Sequence, residues 1–319
     1  MPTISNDHSE LGCHGPNHLR RVRDRKRESL FLFPQVYSVS GRTLQSCQVM
    51  RHLSHRANTT AYLLVLVPLL MAIPTVAQAD LASEDTPTVT PYRPTVSTPA
   101  ALSAPGWLEI EGGWITSGSG ADKRQSTPYS LKLALSPDWG IRIDGEAAVA
   151  AITTDGRTQL GAGDTSFTLK RRFSITDHSA FGLEAQVGAA TAKPLFQTGS
   201  GHTDYTMNGI FSSDLSDADH LDLNYAITRF GAAALTESHE QSRWAAALSH
   251  SITGPWGMSG ELSGTRQLGA NQTRQFLMAA SYSPSRTVAW DFGLARGLST
   301  TSPHWSVFAG LTMLTVKLL

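Results

Sequence analysis

The sequence predicts an all-β protein, a closed antiparallel transmembrane β-barrel of about twelve strands. Three observations support this fold class. Twelve segments after residue 105 alternate apolar with polar or small residues, their connections alternate between short and long, and aromatic residues gather near the segment ends. Alternation with a period of two is typical of strands whose two faces meet different surroundings.

The first 79 residues differ from the rest in charge and composition. They carry nine Lys and Arg against four Asp and Glu, whereas residues 80–319 carry 17 against 22. Ala61–Ile73 is an apolar run of 13 residues that follows the basic stretch Arg51–Arg56 and precedes the small-residue end Ala77–Ala79. These three parts define a secretory signal peptide, whereas a transmembrane helix needs about twenty apolar residues. We therefore expect residues 50–79 to be a signal peptide and residues 1–49 an upstream extension.

Both cysteines, Cys13 and Cys47, precede the predicted cleavage site. The mature chain is therefore expected to hold no disulfide, no thiolate metal site and no cysteine nucleophile. The basic cluster Arg20–Lys26 has no domain around it, so a nucleic-acid partner is not expected.

Residues 80–105 are rich in Pro, Thr, Ser and Ala and show little periodicity. This composition is typical of an extended tail. We expect the tail on the periplasmic side, where it can occlude the mouth of a barrel formed by residues 106–319.

The alternation is clear in the segments 129–135, 141–151, 181–187, 221–228, 288–294 and 305–313. Because hydrocarbon surrounds a membrane barrel, we place the apolar parity outward. In the second segment this parity comprises Ile141, Ile143, Ala147, Val149 and Ala151.

Apolar and polar side chains alternate along the strands of both a membrane barrel and a soluble β-domain, so this alternation does not distinguish them. The lengths of the connections do. Short turns are expected at 136–139, 174–178, 213–219, 253–255 and 283–286, and longer polar loops near 117–125, 153–160, 191–202, 231–241, 267–273 and 297–303. A membrane barrel has short periplasmic turns at one end and longer outer loops at the other.

Aromatic side chains of the apolar parity form two groups, as two membrane interfaces favour. Those expected near the long-loop end are Trp114, Tyr129, Tyr205, Trp244, Phe276 and Trp305. Those expected near the short-turn end are Phe173, Phe181, Phe211, Trp256 and Tyr282, with Trp139 in a turn. Arg171 and Arg229 also fall on the lipid side, near strand ends where long side chains reach the interface.

An outward apolar parity sends most charged side chains inward. The acidic candidates for lining the lumen are Glu109, Glu111, Asp144, Glu146, Asp164, Glu184, Asp222, Glu261 and Asp291. The basic candidates are Lys132, Arg142, Lys170, Arg172 and Arg243. Two interpretations remain open: a network of salt bridges that fills the lumen, or a narrow polar path whose constriction sets selectivity.

No residues are predicted to be catalytic or to bind a metal or cofactor. His250 lies on the outward parity without a serine near it, so a hydrolase is not expected. The turn 214–222 holds four aspartates, which suit Ca²⁺ but are also common turn residues.

Several stretches resemble one family across Pro91–Leu319. They are PYRPTVSTPAALSAPGWLEIEGGW, GAGDTSFTLKRRF, KPLFQTGSGHTDYTMNGIFSSDL, WAAALSHSI, GELSGTR and SPHWSVFAGLTML. They are similar to outer-membrane proteins of the MetA-pathway of phenol degradation family, described as transporters. The resemblance implies uptake of aromatic or other hydrophobic compounds, and it identifies no functional residues.

These observations predict a protein of the bacterial outer membrane that is not an enzyme. Its expected partners are outer-membrane lipid and lipopolysaccharide, the barrel-assembly machinery and an unidentified small solute. The leading hypothesis is a passive, porin-like transporter or channel for small solutes, aromatic or hydrophobic ones among the options. The alternative is a closed barrel with a structural or surface-interaction role.

Overall fold

The computed structural model describes residues 86–119, 122–152, 156–193 and 198–319. The predicted signal peptide, the upstream extension and both cysteines lie outside these residues. The strands are β1 Trp107–Ser119, β2 Asp122–Ala134, β3 Trp139–Ile152, β4 Thr158–Gly161, β5 Thr165–Ser174, β6 Ser179–Ala189, β7 Asp204–Asp214, β8 Asp219–Arg229, β9 Glu240–Ser251, β10 Trp256–Gln267, β11 Thr273–Ser285, β12 Val288–Gly297 and β13 Trp305–Lys317. In the part of the chain that is described, no helix is long and apolar enough to cross a membrane.

The strands close into one antiparallel barrel. Apart from β4 and β5, which both pair with β3, strands that follow each other in the chain pair with each other, and β13 pairs with β1. Strands β4 and β5 share one place in the wall, because β3 pairs with β4 through Val149–Ile152 and with β5 through Trp139–Asp144. The wall therefore has twelve positions, which confirms the predicted closed barrel of about twelve strands.

The two ends of the barrel differ as the connection lengths predict. Turns of two to four residues follow β2, β5, β7, β9 and β11, and longer loops follow β6, β8, β10 and β12. One predicted loop is wrong: β1 and β2 extend through most of 117–125, with Ser119 opposite Asp122. The predicted loop near 153–160 also contains the start of β4.

The outer surface is an apolar belt of the kind that faces lipid. Leu169 and Phe292, near the middle of their strands, are 45% and 46% exposed. Of the aromatic residues predicted at the two ends, ten are exposed, and Tyr129 and Tyr282 are half-buried. Outward-facing Arg171 lies over the rings of Trp139 and Phe173 at 4.9 and 4.7 Å, as expected for a cation at an interface.

One part of β3 corrects the predicted parity. The pairing of β2 with β3 shifts between Thr127 and Pro128, which leaves Ala147 without an opposite residue. Beyond such a bulge, the side chains that would have pointed outward point inward, and the reverse. Val149 and Ala151, placed outward above, are therefore buried, with exposed fractions of 4% and 6%.

Candidate functional site: a plugged lumen

Residues 86–105, called the plug below, fold into the barrel from the short-turn end. The plug enters beside the β11–β12 turn, where the N–H of Val89 donates to the carbonyl of Arg286 at 2.8 Å. It leaves beside the end of β2, where Pro105 bridges to Ala134. All but two of its side chains are buried or half-buried, so it fills this part of the lumen.

The wall supplies acceptors for the backbone of the plug. An extended segment outside a sheet forms no regular backbone hydrogen bonds of its own, so its buried N–H groups need other partners. The bonds run from Thr90 N–H to Glu109 (3.0 Å), Tyr92 N–H to Glu111 (2.6 Å), Ser97 N–H to Glu261 (2.7 Å), Thr98 N–H to Asn224 (3.0 Å) and Ala100 N–H to Ser212 (2.7 Å). These acceptors lie on β1, β7, β8 and β10, so the plug is fastened around the barrel.

Tyr92 lies among three cations of the wall. The ring centroid is 3.9 Å from Lys132 Nζ, 4.2 Å from Lys170 Nζ and 5.4 Å from Arg142 Cζ. The Tyr92 hydroxyl accepts a hydrogen bond from Lys170 (2.9 Å) and donates one to the carbonyl of Ala101 (2.8 Å). Cations over an aromatic face contribute about 0.5–2 kcal/mol each, so this residue is a main attachment of the plug.

Arg93 holds the plug to β12 and β13, on the other side of the β1–β13 seam from β2. Its guanidinium pairs with Asp291 at 3.1 and 3.2 Å and lies close to the backbone of β13. Glycines make room for it: a Cβ on Gly113 or Gly310 would stand 2.8 or 2.4 Å from guanidinium atoms of Arg93. The absence of side chains at these two positions is therefore what admits the arginine.

Charged side chains of the wall form compact ion pairs beside the plug. Lys132 Nζ lies 2.6 Å from Glu109 and also contacts Glu111, with all three at most 3% exposed. On the neighbouring strands the pairs are Arg142 with Asp144 (2.8 Å) and Glu184 (3.1 Å), Lys170 with Glu184 (3.4 Å), and Arg124 with Glu146 (2.7 Å). Each buried charge here has an opposite partner, as burial in a low-dielectric interior requires.

The remaining lumen candidates lie in different surroundings. Asp222 is buried and accepts from Ser212, the residue that holds Ala100 of the plug. Arg172 is half-buried near the short-turn end and donates to Ser174. Arg243 is half-buried and faces the space above the plug.

That space, called the luminal cavity below, lies between the plug and the long-loop end. Its volume, counted as the space open to the centres of water-sized molecules, is about 80 Å³. The plug residues 92–96 and Thr98 form its floor. The wall residues around it include Ile115, Ser126, Asn208 and Phe308.

Asp164 lies where the fourth wall position is interrupted between β4 and β5. It is 1% exposed and accepts hydrogen bonds from Ala192 N–H (2.9 Å) and Ser200 N–H (2.5 Å). Thr198 also donates to the carbonyl of Ala162 in the interruption (2.6 Å). The described parts of the loop between β6 and β7, at Ala192, Thr198 and Ser200, thus lie against the gap in the wall, a role that the sequence did not predict.

The acidic turn before β8 forms its own contacts at the short-turn end. His220 lies between Asp214 (2.6 Å) and Asp222 (3.2 Å), and His250 contacts Asp219 (2.8 Å). Within the described ranges, no group of three or more His, Cys, Asp or Glu side chains is arranged to hold a metal ion.

Three charged or aromatic residues of the site were not among the predicted lumen residues: Arg124, Tyr92 and Arg93. Arg124, which pairs with Glu146, was assigned to a loop because polar residues surround it. Tyr92 and Arg93 were assigned to a tail, although an aromatic and a cation in a segment otherwise made of small residues were a visible signal.

No protein-family model matches the sequence, and no curated protein matches it either. A solved structure shares the fold, and others superpose less closely. The COG4313 outer membrane channel from Pseudomonas putida F1 superposes with a TM-score of 0.55 at 10% identity, covering 68% of this chain and 98% of that one. The KdgM porin gives 0.48 at 8% identity (65% and 99%), and the CymD monoaromatic hydrocarbon channel gives 0.40 at 10% identity (66% and 89%).

Proposed function

We propose that this protein is a passive channel of the bacterial outer membrane for small solutes, and that its N-terminal plug restricts the path. The observation that carries the proposal is the arrangement of the lumen: a cavity above, and a plug fastened by polar contacts below. A barrel filled for stability alone has no need of a cavity above the plug.

Other features support the membrane location and the channel. The apolar outer belt with aromatic residues at both ends suits a bilayer, and the difference between short turns and longer loops is that of outer-membrane barrels. The Pseudomonas putida protein that shares the fold is itself an outer membrane channel.

The nature of the contacts supports a movable plug. Hydrogen bonds and ion pairs hold much of it, whereas apolar contact is limited to small clusters such as Ala100 with Ala180 and Ile210. Polar contacts of this kind exchange readily with water, so the plug is able to shift without exposing a large hydrophobic core.

The specific alternative is a closed barrel with a structural or surface role. Buried ion pairs such as Lys132 with Glu109 favour it, because they fill the lumen beside the plug. The two functions differ in whether ions and solutes cross the protein.

Single-channel conductance in planar bilayers separates these functions. The purified chain 80–319 is compared with a variant that lacks residues 86–104, both checked for a folded barrel by heat modifiability on gels. We expect small conductance steps from the intact chain and clearly larger ones from the deletion variant. Swelling of vesicles in solutions of neutral solutes of increasing size gives the cut-off. Absence of both conductance and solute flux from the two folded proteins would overturn the channel.

A further inference from the structure

Three arginines lie side by side on the outer surface of the barrel, at its long-loop end. Arg266 on β10, Arg274 on β11 and Arg296 on β12 are exposed, and each is one residue from that end of its strand. Arg274 lies opposite Gly264, which is two residues from Arg266. Arg296 lies opposite Phe276, which is two residues from Arg274. Each arginine is therefore a diagonal neighbour of the next, and the row spans about 10 Å across the strands.

The three guanidinium groups have no acidic partners. Within the described part of the chain, no ion pair involves any of them, whereas Arg229 at the same end of the barrel pairs with Glu240 at 3.5 Å. Arg296 is held in place in another way, since its guanidinium lies 4.7 Å from the ring of Trp305 and donates to the carbonyl of His304 at 3.1 Å. Like charges this close on neighbouring strands repel one another, and an anion beside them removes the repulsion.

The surface next to this row is apolar. On the same three strands and the same face lie Leu262, Phe276 and Leu294, with exposed fractions of 47%, 37% and 44%. They belong to the belt that faces lipid, so the arginines lie at the boundary between hydrocarbon and head groups. A molecule that contacts both surfaces has an anionic head and acyl chains. Because the longer loops of an outer-membrane barrel lie on its outer side, that molecule belongs to the outer leaflet.

The spacing and charge of the row suit two phosphate groups. A guanidinium presents a planar fork of N–H donors that fits a phosphate. The row has two gaps, one between Arg266 and Arg274 and one between Arg274 and Arg296, and in each a phosphate can accept from both neighbours. A phosphate monoester carries about −1.5 to −2 charges at neutral pH. Two of them balance three arginines, whereas the single charge of a phosphodiester leaves most of the repulsion in place.

We propose that Arg266, Arg274 and Arg296 bind the lipid A part of lipopolysaccharide. Its two phosphates lie in the two gaps of the row, and its acyl chains lie on the apolar surface beside Leu262, Phe276 and Leu294. The proposal rests on the outer-membrane location proposed above and requires no passage through the lumen. A free phosphate gains only the contacts of the head group, because it has no chains to place on the apolar surface.

Native mass spectrometry measures this binding directly. The purified chain 80–319 in detergent micelles receives lipid A, monophosphoryl lipid A or phosphatidylglycerol at equal concentration. We expect one bound lipid A per barrel, with monophosphoryl lipid A bound about fivefold and phosphatidylglycerol about tenfold more weakly. Inorganic phosphate in large excess should leave most of the lipid A bound. Equal binding of lipid A and phosphatidylglycerol, or complete displacement by phosphate, would overturn the proposal.

Variants locate the bound lipid. Arg274 borders both gaps, so we expect Arg274→Gln to weaken lipid A binding about tenfold, and Arg266→Gln and Arg296→Gln about threefold each. Arg229→Gln is the matched control, because this arginine lies at the same end but already pairs with Glu240, and it should change binding less than about twofold.

Each variant is checked for a folded barrel by heat modifiability. If Arg274→Gln fails to fold, the double change Arg266→Gln with Arg296→Gln tests the same row and should weaken binding about tenfold. Unchanged binding of lipid A in the folded variants, or an equal loss in Arg229→Gln, would overturn the site.

The outcomes separate this site from the channel. A barrel that conducts but binds lipid A no better than phosphatidylglycerol would overturn the lipid site alone. A barrel that binds lipid A through the three arginines but passes neither ions nor solutes would overturn the channel and leave the site.

Discussion

The hydroxyl of Tyr92 donates a hydrogen bond of 2.8 Å to the carbonyl oxygen of Ala101, nine residues further along the plug. This bond joins the limb of the plug that enters the lumen to the limb that leaves it. Lys132 on β2 and Lys170 on β5 lie over the aromatic ring of Tyr92, so this residue also joins the plug to these two strands. Tyr92 therefore controls both the shape of the plug and its attachment.

We predict that Tyr92→Leu loosens the plug and that Tyr92→Phe does so less, since phenylalanine keeps the ring and loses only the hydroxyl. The chain 80–319 contains no cysteine, so a single Ser97→Cys change, at a side chain that is 0% exposed, reports opening through its rate of thiol labelling. The hydroxyl makes two hydrogen bonds, to Ala101 and Lys170, and the loss of each should raise the labelling rate about fivefold; the loss of the cation–π contacts as well should raise it further. Identical rates in both variants and the parent would contradict this role.

Gly310→Ala should release Arg93. The new Cβ would stand 2.4 Å from Arg93 Nε and 2.6 Å from an oxygen of Asp291, so the ion pair must part. Gly112→Ala is the control, because a Cβ there meets no atom within 4 Å. With the same Ser97→Cys reporter, we expect faster labelling only for Gly310→Ala; equal effects of the two changes would show that the glycine does not serve the arginine.

Glu184 should matter far more to stability than an exposed glutamate in a similar pair. It is buried and contacts Arg142, Lys170 and Asn208, so Glu184→Ala leaves Lys170 without its carboxylate partner and Arg142 with Asp144 alone. We expect a loss of about 3–5 kcal/mol in the free energy of unfolding. Glu240→Ala breaks only the exposed pair with Arg229 and should cost at most about 1 kcal/mol. Urea unfolding in lipid vesicles, followed by tryptophan fluorescence, measures both; similar losses would argue against a buried network.

The position of the bilayer can be tested on one strand. Leu169 and Phe173 both face outward on β5, the first near the middle and the second next to the short-turn end. Arginine at the middle of a membrane costs about 2–4 kcal/mol and near an interface about 0–1 kcal/mol. Leu169→Arg should therefore lower the yield of folding into vesicles strongly and Phe173→Arg weakly, while the reverse order would place the membrane elsewhere.

Asp164→Ala should free the loop between β6 and β7. The aspartate accepts from Ala192 on one side of residues 194–197 and from Ser200 on the other. We expect faster cleavage by a nonspecific protease within 190–203, located by mass spectrometry. Asp177→Ala, in the exposed turn before β6, should leave that cleavage rate unchanged. Unaltered cleavage in the Asp164 variant would mean that other contacts hold the loop.

The wall of the barrel was predictable because it follows local rules. Side-chain parity and turn length repeat along the chain, so β6, β8 and β12 could be placed from residues such as Leu183, Leu223 and Phe292. The rule failed at Ala147. The sequence Ala-Ala-Val-Ala-Ala is apolar on both faces of the strand, so it does not show that one extra residue there exchanges the inward and outward positions.

The site was less predictable because its contacts join distant residues. Ser97 lies 164 positions from its partner Glu261, and Arg93 lies 198 from Asp291. The alternation of side chains identified the charged residues that line the lumen. The plug, however, is extended and aperiodic, so its sequence does not show which of these residues it contacts.

The plug enters and leaves by the same mouth of the barrel. Val89 lies against the β11–β12 turn, and Gly106, at the other end of the plug, accepts bonds from Leu318 and Leu319 where the last strand meets the first. Within residues 86–319 as described, the plug is therefore a hairpin-shaped segment whose two ends lie at one mouth of the barrel and which does not pass through the wall. For this part of the chain, closure of the β1–β13 seam and insertion of the plug are topologically independent events.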